Sequence, residues 1–262
     1  MRNFICILAL LCTVYALEQD VLDPSKNLER LVNIQKISAE AVLKTLQLFE
    51  ERTKQSLEVK FNEMKTEALV DIHTTITTAL KNVDLSIEKG KKEGKNVNEC
   101  YTYAKNNLET KNTNAIGGLD TCIQNGYTAM EGPLENMANT IEAAKKLLID
   151  LDAIIPSCYS TNFVKMQACV MKNLVLTRRS LNRIENNAEE VRGTATVTSA
   201  KTIIDVRACI TENASDTRTF STFIVVYTDN CVRNAPPEET PKPPITVKLP
   251  IPTVKSTIKL AF

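Results

Sequence analysis

Histidine is nearly missing from this chain, and its scarcity excludes more than any motif suggests. His73 is the single histidine. A Ser-His-Asp or Cys-His enzyme would have to use it. It lies between Ile72 and Ile76 in a regular helical stretch, where it reads as a plain helix residue rather than a general base. The sequence therefore gives no catalytic residue and is read as non-enzymatic. No two cysteines stand at the short C-x2-4-C spacing of zinc sites, so no metal and no cofactor is expected. Gly117-Gly118 lacks a following Gly-Lys-Ser and is no phosphate loop. Tryptophan is absent and aromatics make up 5% of the chain, which suits helices with narrow, coiled-coil-like apolar seams. Neither charge sign prevails: 32 basic residues face 31 acidic ones. No basic field is offered to nucleic acid, and no polybasic patch to anionic membranes. Beyond the N-terminus no apolar run is long enough to span a bilayer.

What is present begins with that N-terminus. Arg2, the short apolar core Phe4 to Val14 and the small-residue site Val14-Tyr15-Ala16 predict a cleaved export signal over residues 1–16. Cys6 and Cys12 leave with it. Six cysteines remain of the chain's eight, and an even number in an oxidising compartment predicts three disulfides.

Their spacing is a mirror. The gaps run 22 (Cys100 to Cys122), 36 (Cys122 to Cys158), 40 (Cys169 to Cys209) and 22 (Cys209 to Cys231). Folding the chain back near Asn162 brings Cys158 to Cys169, Cys122 to Cys209 and Cys100 to Cys231 as nested rungs. At about 100° per residue, these gaps bring each arm's cysteines within roughly 40° of one helical stripe. A sequential pairing, Cys100–Cys122, Cys158–Cys169 and Cys209–Cys231, is the alternative. It needs sharp turns near Lys111 and near Phe220.

Three arms follow from apolar spacing. The first, about Asn27 to Lys89, carries a stripe at steps of three and four, including Leu57, Phe61, Met64, Ala68, Ile72 and Ile76. Ser25 is a candidate N-cap and Gly90 a candidate C-terminal glycine. The second, about Asn98 to Ile154, contains Gly117-Gly118 and Gly132-Pro133. The latter pair predicts a kink or break, and Pro156 a stop. Residues 156–163 form the expected hairpin tip. The third arm, about Val164 to Val232, is rich in β-branched residues. Phe220, Phe223, Ile224, Tyr227 and Cys231 nonetheless share one helix face. From Ala235 the composition shifts: residues 235–262 hold seven of the ten prolines and predict an extended, disordered tail. The domain plan is signal 1–16, helical domain 17–234 and tail 235–262.

Carboxylate pairs such as Glu50-Glu51 and Glu189-Glu190 read as solvated helix faces. Asn213-Ala214-Ser215 is the one N-glycosylation sequon, with a glycan at Asn213 expected to point outward near the Cys122–Cys209 rung.

Signal, long helical arms, six spaced cysteines and a Pro/Glu-containing tail together resemble the TsetseEP-domain family of insect secreted proteins. The stretch Arg183-Ile184-Glu185-Asn186-Asn187-Ala188-Glu189-Glu190 through Ala208-Cys209 carries the local likeness. The tail lacks a true Glu-Pro repeat. The resemblance implies an extracellular protein of gut or other secretory tissue and supplies no active-site residues. The whole predicts an all-α, elongated bundle of three long arms, arms two and three forming a disulfide-stapled antiparallel hairpin. The expected function is a secreted, extracellular binding or interaction protein facing a protein, glycan or lipid partner. A carrier of lipid or small hydrophobic ligands is the alternative. Exchange of arms between chains would give a homodimer.

Overall fold

The computed structural model describes residues 24–238. Three α-helices account for nearly all of them: α1 (Pro24–Lys92), α2 (Asn98–Cys158) and α3 (Phe163–Asn234). The expected signal over 1–16, the first residues of the helical domain (17–23) and the tail from 239 onward lie outside the described residues. Among those described, no helix is long and apolar enough to cross a membrane.

The helix ends show which local signals act. α1 starts at Pro24, which places Ser25, the candidate cap, in its first turn. It also runs past Gly90, the expected stop, to Lys92. The terminating glycine is Gly94, at φ 69°. The Lys95 N–H donates to Gly90 O at 3.1 Å and the Gly94 N–H to Lys91 O at 3.0 Å. These are the 6→1 and 5→2 bonds of a Schellman motif, which satisfies carbonyls the helix leaves open. Gly90 has a different task. A Cβ there would come within 2.7 Å of both Val97 and Val232, so its missing side chain lets other segments pack close. α3 is opened by Asn162, whose Oδ1 accepts from the Lys165 N–H at 3.2 Å, an N-cap bond.

α2 departs most from expectation. It is unbroken through Gly117-Gly118, Gly132-Pro133 and Pro156, ending at Cys158. The link to α3 is thus 159–162, shorter than the expected tip. A proline inside a helix costs about 3 kcal/mol. Met130 and Met137, one turn to either side of Pro133, are both fully buried. Each such burial contributes about 1.5–3 kcal/mol, so packing outweighs the backbone penalty.

The described residues form two compact units, 24–72 with 114–216 and 73–113 with 217–238. In the first, one core cluster draws Leu28 and Val32 from α1, Leu147, Leu151 and Ile154 from α2, and Met166, Val170 and Leu174 from α3. A second joins Leu46, Met137, Ile141, Ala188 and Ala195. Phe61 is fully buried and meets Tyr127 edge-on at 5.1 Å. Burial pushes the Tyr127 phenol above its ordinary value, with Glu58 adding to the shift. Disulfides Cys122–Cys209 and Cys158–Cys169 lie in this unit.

In the second unit Ile76, Val83 and Ile87 of α1 are buried, as are Ala104 and Leu108 of α2 and Ile224 and Val232 of α3. Cys100–Cys231 joins α2 to α3 here. The face read from the sequence, Phe220, Phe223, Ile224, Tyr227 and Cys231, is only in part the buried face of α3. Phe223 is 56% exposed and Tyr227 40%, while Thr217, Ser221, Ile224 and Thr228 are buried. Cys100 and Cys231 bring their Cα atoms to 5.8 Å; with Cα atoms about 2.3 Å from each helix axis, this is an ordinary helix–helix separation of about 10 Å. The aromatics flank the seam: Tyr103 meets Tyr227 at 4.7 Å, and Lys111 Nζ lies 5.7 Å from the Phe220 ring centre. Thr228 Oγ1 satisfies itself on Ile224 O at 2.8 Å.

Candidate functional site

Among the surface clefts of the described residues, one in each unit gathers polar side chains from two chain segments. The cleft of the second unit, about 440 Å³, is lined by Leu85, Ser86, Lys89, Glu93, Lys95, Asp229, Val232 and Arg233. The Schellman turn after α1 supplies Glu93 and Lys95, and the last turns of α3 supply Asp229 and Arg233. Lys95 Nζ pairs with Glu93 Oε2 at 3.0 Å and donates to Arg233 O at 3.2 Å. The hydrogen bond and charge of Lys95 hold the Glu93 carboxyl below its ordinary range. Ser86 Oγ donates to Asp229. Arg233 Nη2 donates to Asn230 Oδ1 at 2.6 Å. The chain leaving α3 then closes on the turn. The Asn96 N–H donates to Pro236 O at 2.8 Å and the Glu238 N–H to Gly94 O at 2.7 Å, with Lys95 bridged to Pro237. The first residues of the expected tail thus pack. Proline cannot donate, but its extended backbone presents a carbonyl to an edge. With its polar groups turned on one another, this cleft acts as a clasp joining two chain segments.

The groove of the first unit, about 370 Å³, lies between Pro133, Asn136, Asn139 and Thr140 of α2 and Asn187, Glu190, Val191 and Thr194 of α3. Three amides, two hydroxyls and a carboxylate face it. Such a set exchanges hydrogen bonds in both directions and suits a peptide or a hydroxyl-rich partner. Glu190, read from the sequence as part of a solvated face, is one of its walls.

The remaining sequence candidates are dispersed. His73 is exposed on α1 between the buried Ile72 and Ile76 and lines neither cleft. Glu50 pairs with Lys54 at 2.6 Å and Glu51 accepts from Gln55 at 3.1 Å, both along their own helix. Among the described residues no three His, Cys, Asp or Glu side chains converge as metal ligands.

Asn213 does not point outward. Its Nδ2 donates to Ala115 O of α2 at 2.7 Å, and the amide lies over Gly118. The sequence reading missed this because a sequon signals only residue identity. The partner that turns the amide inward, a glycine 95 positions earlier, is visible only once the α2–α3 register is known.

No protein-family model matches this chain, and no curated protein matches it significantly.

Proposed function

We propose that this chain is exported and works outside the cell as a non-enzymatic binding or interaction protein. In this reading residues 1–16 direct export. The three helices form an elongated bundle in which α2 and α3 make a stapled antiparallel hairpin. Membership of the TsetseEP-domain family, and with it action in insect gut lumen, secretion or haemolymph, belongs to the same proposal. Its support is the cysteine spacing and the helical texture of residues 30–232.

The observation that carries the reading is the set of three disulfides, Cys100–Cys231, Cys122–Cys209 and Cys158–Cys169. Bridges of this kind form and persist in oxidising compartments. They also suppress the local opening that proteolysis requires, which suits a protein meeting digestive or secreted proteases. The groove at Asn136, Asn139 and Asn187 offers a protein or glycan partner hydrogen bonds.

The carrier alternative needs the helices to part. Leu46, Leu57, Ile72 and Leu108 are each buried to within 1%, so the seams a hydrophobe would occupy are already filled by the chain itself. Mass spectrometry of an organic extract from the protein collected in culture medium separates the two. An extract without stoichiometric ligand, with controls showing that a hydrophobe survives purification, is expected. A stoichiometric lipid would replace the interaction reading with the carrier one. A chain retained inside the cell with free thiols would overturn both.

A further inference from the structure

The near balance of charge over the whole chain conceals a local segregation. Between Asp152 and Glu185 there is no acidic residue, while Lys165, Lys172, Arg178, Arg179 and Arg183 supply five cations. All five are exposed on α3. None forms an ion pair among the described residues.

The same segment exposes apolar groups. Val164 is 72% exposed, Met171 43% and Val175 48%. Angular position sorts the two kinds of residue. At about 100° per residue, the buried Met166, Val170, Leu174 and Leu181 define the side turned to the core. Val164, Ala168, Met171 and Val175 fall within about 60° of one another on the solvent side. Lys165, Lys172, Arg179 and Arg183 fall within about 40°, beside that stripe, and Arg178 borders its other edge. From Val164 to Arg183 the double stripe runs about 28 Å along the helix. α3 is therefore amphipathic twice, once toward the core and once across its outer face.

The neighbouring elements leave this field in place. On α1, Gln35 meets α3 at Leu174 O and Thr177, on the core side. The α1 turns near that contact carry Lys26, Arg30 and Lys36 against Glu29 and Glu40. On α2, Glu142, Asp150 and Asp152 stand against Lys145 and Lys146; Lys145 pairs with Glu142 at 2.6 Å and Asp152 is bonded to Lys36 at 2.7 Å. Ahead of α1 the sequence adds Glu18, Asp20 and Asp23.

The geometry points to the outer face of α3 over residues 164–183 as a docking surface for an anionic phospholipid bilayer. The inference rests on the extracellular binding role proposed above and names its partner. A line of cations alone would suit any polyanion. Apolar side chains interleaved beside the cations suit a headgroup layer with acyl chains beneath it, because a helix with this pattern lies in the interface plane with its apolar stripe sunk toward the lipid. The expectation of no basic patch, drawn from net charge, averaged this segment with the rest of the chain.

The test is cosedimentation of the oxidised protein, as purified from expressing cells, with phosphatidylcholine vesicles containing phosphatidylserine and with pure phosphatidylcholine vesicles. Binding to the anionic vesicles alone, weakening as salt rises, is expected. Lys172→Gln with Arg179→Gln should lower affinity roughly 25-fold, at about fivefold for each cation near a charged surface. Val164→Ser with Val175→Ser should remove the part of binding that survives high salt. All four positions are exposed, and helicity checked by circular dichroism ensures that folded variants are compared. Equal binding to both vesicle types overturns the inference, as does unchanged binding by the Lys172/Arg179 variant. Tighter binding to a soluble polyanion such as heparin, with the valine variant unaffected, also overturns it and assigns the face to an anionic polymer. Absence of vesicle binding by a secreted, oxidised protein sinks this inference alone. Recovery of a reduced, retained chain undoes the reading beneath it.

Discussion

The amide of Asn213 on α3 reaches across to the carbonyl of Ala115 on α2, Nδ2 to O at 2.7 Å. Gly118 makes room for it: a Cβ there would come within 2.7 Å of the same nitrogen. One glycine and one amide thus stitch the two helices close to the Cys122–Cys209 bridge, whose Cα atoms are 5.8 Å apart. The stitch explains why a glycine pair sits inside an unbroken helix. A side chain at position 118 would force the Asn213 amide to shift.

Asn213 is expected to be unmodified in protein recovered from the medium of expressing cells, although it heads a sequon. A glycosylated nitrogen keeps one N–H, but the sugar must enter space already closed by the Gly118 backbone. Glycopeptide mass spectrometry checks this. Full occupancy at Asn213 in folded protein would require another packing of α2 on α3.

The glycines of α2 should separate by neighbourhood. Gly117 and Gly132 have nothing within 4 Å of a built Cβ. Gly117→Ala should therefore stabilise by about 1 kcal/mol through helix propensity. Gly118→Ala gains the same but disturbs a hydrogen bond worth about 1 kcal/mol, so its net effect should be near zero. Gly126→Ala meets Val206 at 2.5 Å and Phe61 at 2.8 Å, both buried. Overpacking there costs about 1–3 kcal/mol and should dominate. Urea denaturation of the three variants tests the order Gly117→Ala, Gly118→Ala, Gly126→Ala, from most to least stable.

The staples should contribute unequally, and less than their sequence separations suggest. Cys100–Cys231 spans 131 residues, for which chain entropy gives about 5 kcal/mol. With Cys122–Cys209 intact, however, it closes only the two 22-residue flanks, worth about 4 kcal/mol. Cys158–Cys169 spans 11 residues and should contribute about 3 kcal/mol. Paired Cys→Ser variants, compared by denaturation, should follow that order. Full reduction should expose residues 98–232 to rapid limited proteolysis. Unchanged protease resistance after reduction would show that the bridges do not hold α2 on α3.

Acid should loosen the clasp at the α1–α2 turn. Lys95 lowers the Glu93 pKa. The contribution is therefore fully present above the ordinary carboxylate value and is lost as pH falls through the folded-state value. Carboxyl-detected NMR should place the Glu93 titration below that of an unpaired glutamate. Lys95→Gln should return it to the ordinary range, with amide exchange at Glu238 accelerating. A Glu93 titration unmoved by Lys95→Gln would remove the pairing from the account.

Helical content was legible in the sequence because spacing persists over tens of residues. The β-branched stretch Thr217 to Thr228 favours strand by propensity and is helix by period, and the structure has it in α3. Other features were set by partners distant in sequence. Pro133 reads as a breaker, yet lies in an unbroken helix between the buried Met130 and Met137. Phe220, Phe223, Ile224, Tyr227 and Cys231 share one helix face by spacing, yet Phe223 and Tyr227 stay exposed while Ile224 is buried together with Thr217, Ser221 and Thr228. Gly90 reads as a cap, yet Val97 and Val232 require it bare while Gly94 makes the turn. Of the site features, the Asn213 stitch and the amide groove at Asn136, Asn139 and Asn187 depend on interhelical register. The cationic stripe of α3 was fully present in the sequence, hidden by summing charge over the chain.

The most direct test is disulfide mapping of protein collected from the medium of cells expressing the chain from its own Met1. Digestion without reductant, followed by mass spectrometry, should give a mature chain starting at Leu17. Its three bridged peptides should pair Cys100 with Cys231, Cys122 with Cys209 and Cys158 with Cys169. A chain retained in the cell, free thiols, or the sequential pairs Cys100–Cys122 and Cys209–Cys231 would contradict a secreted, cross-stapled helical protein.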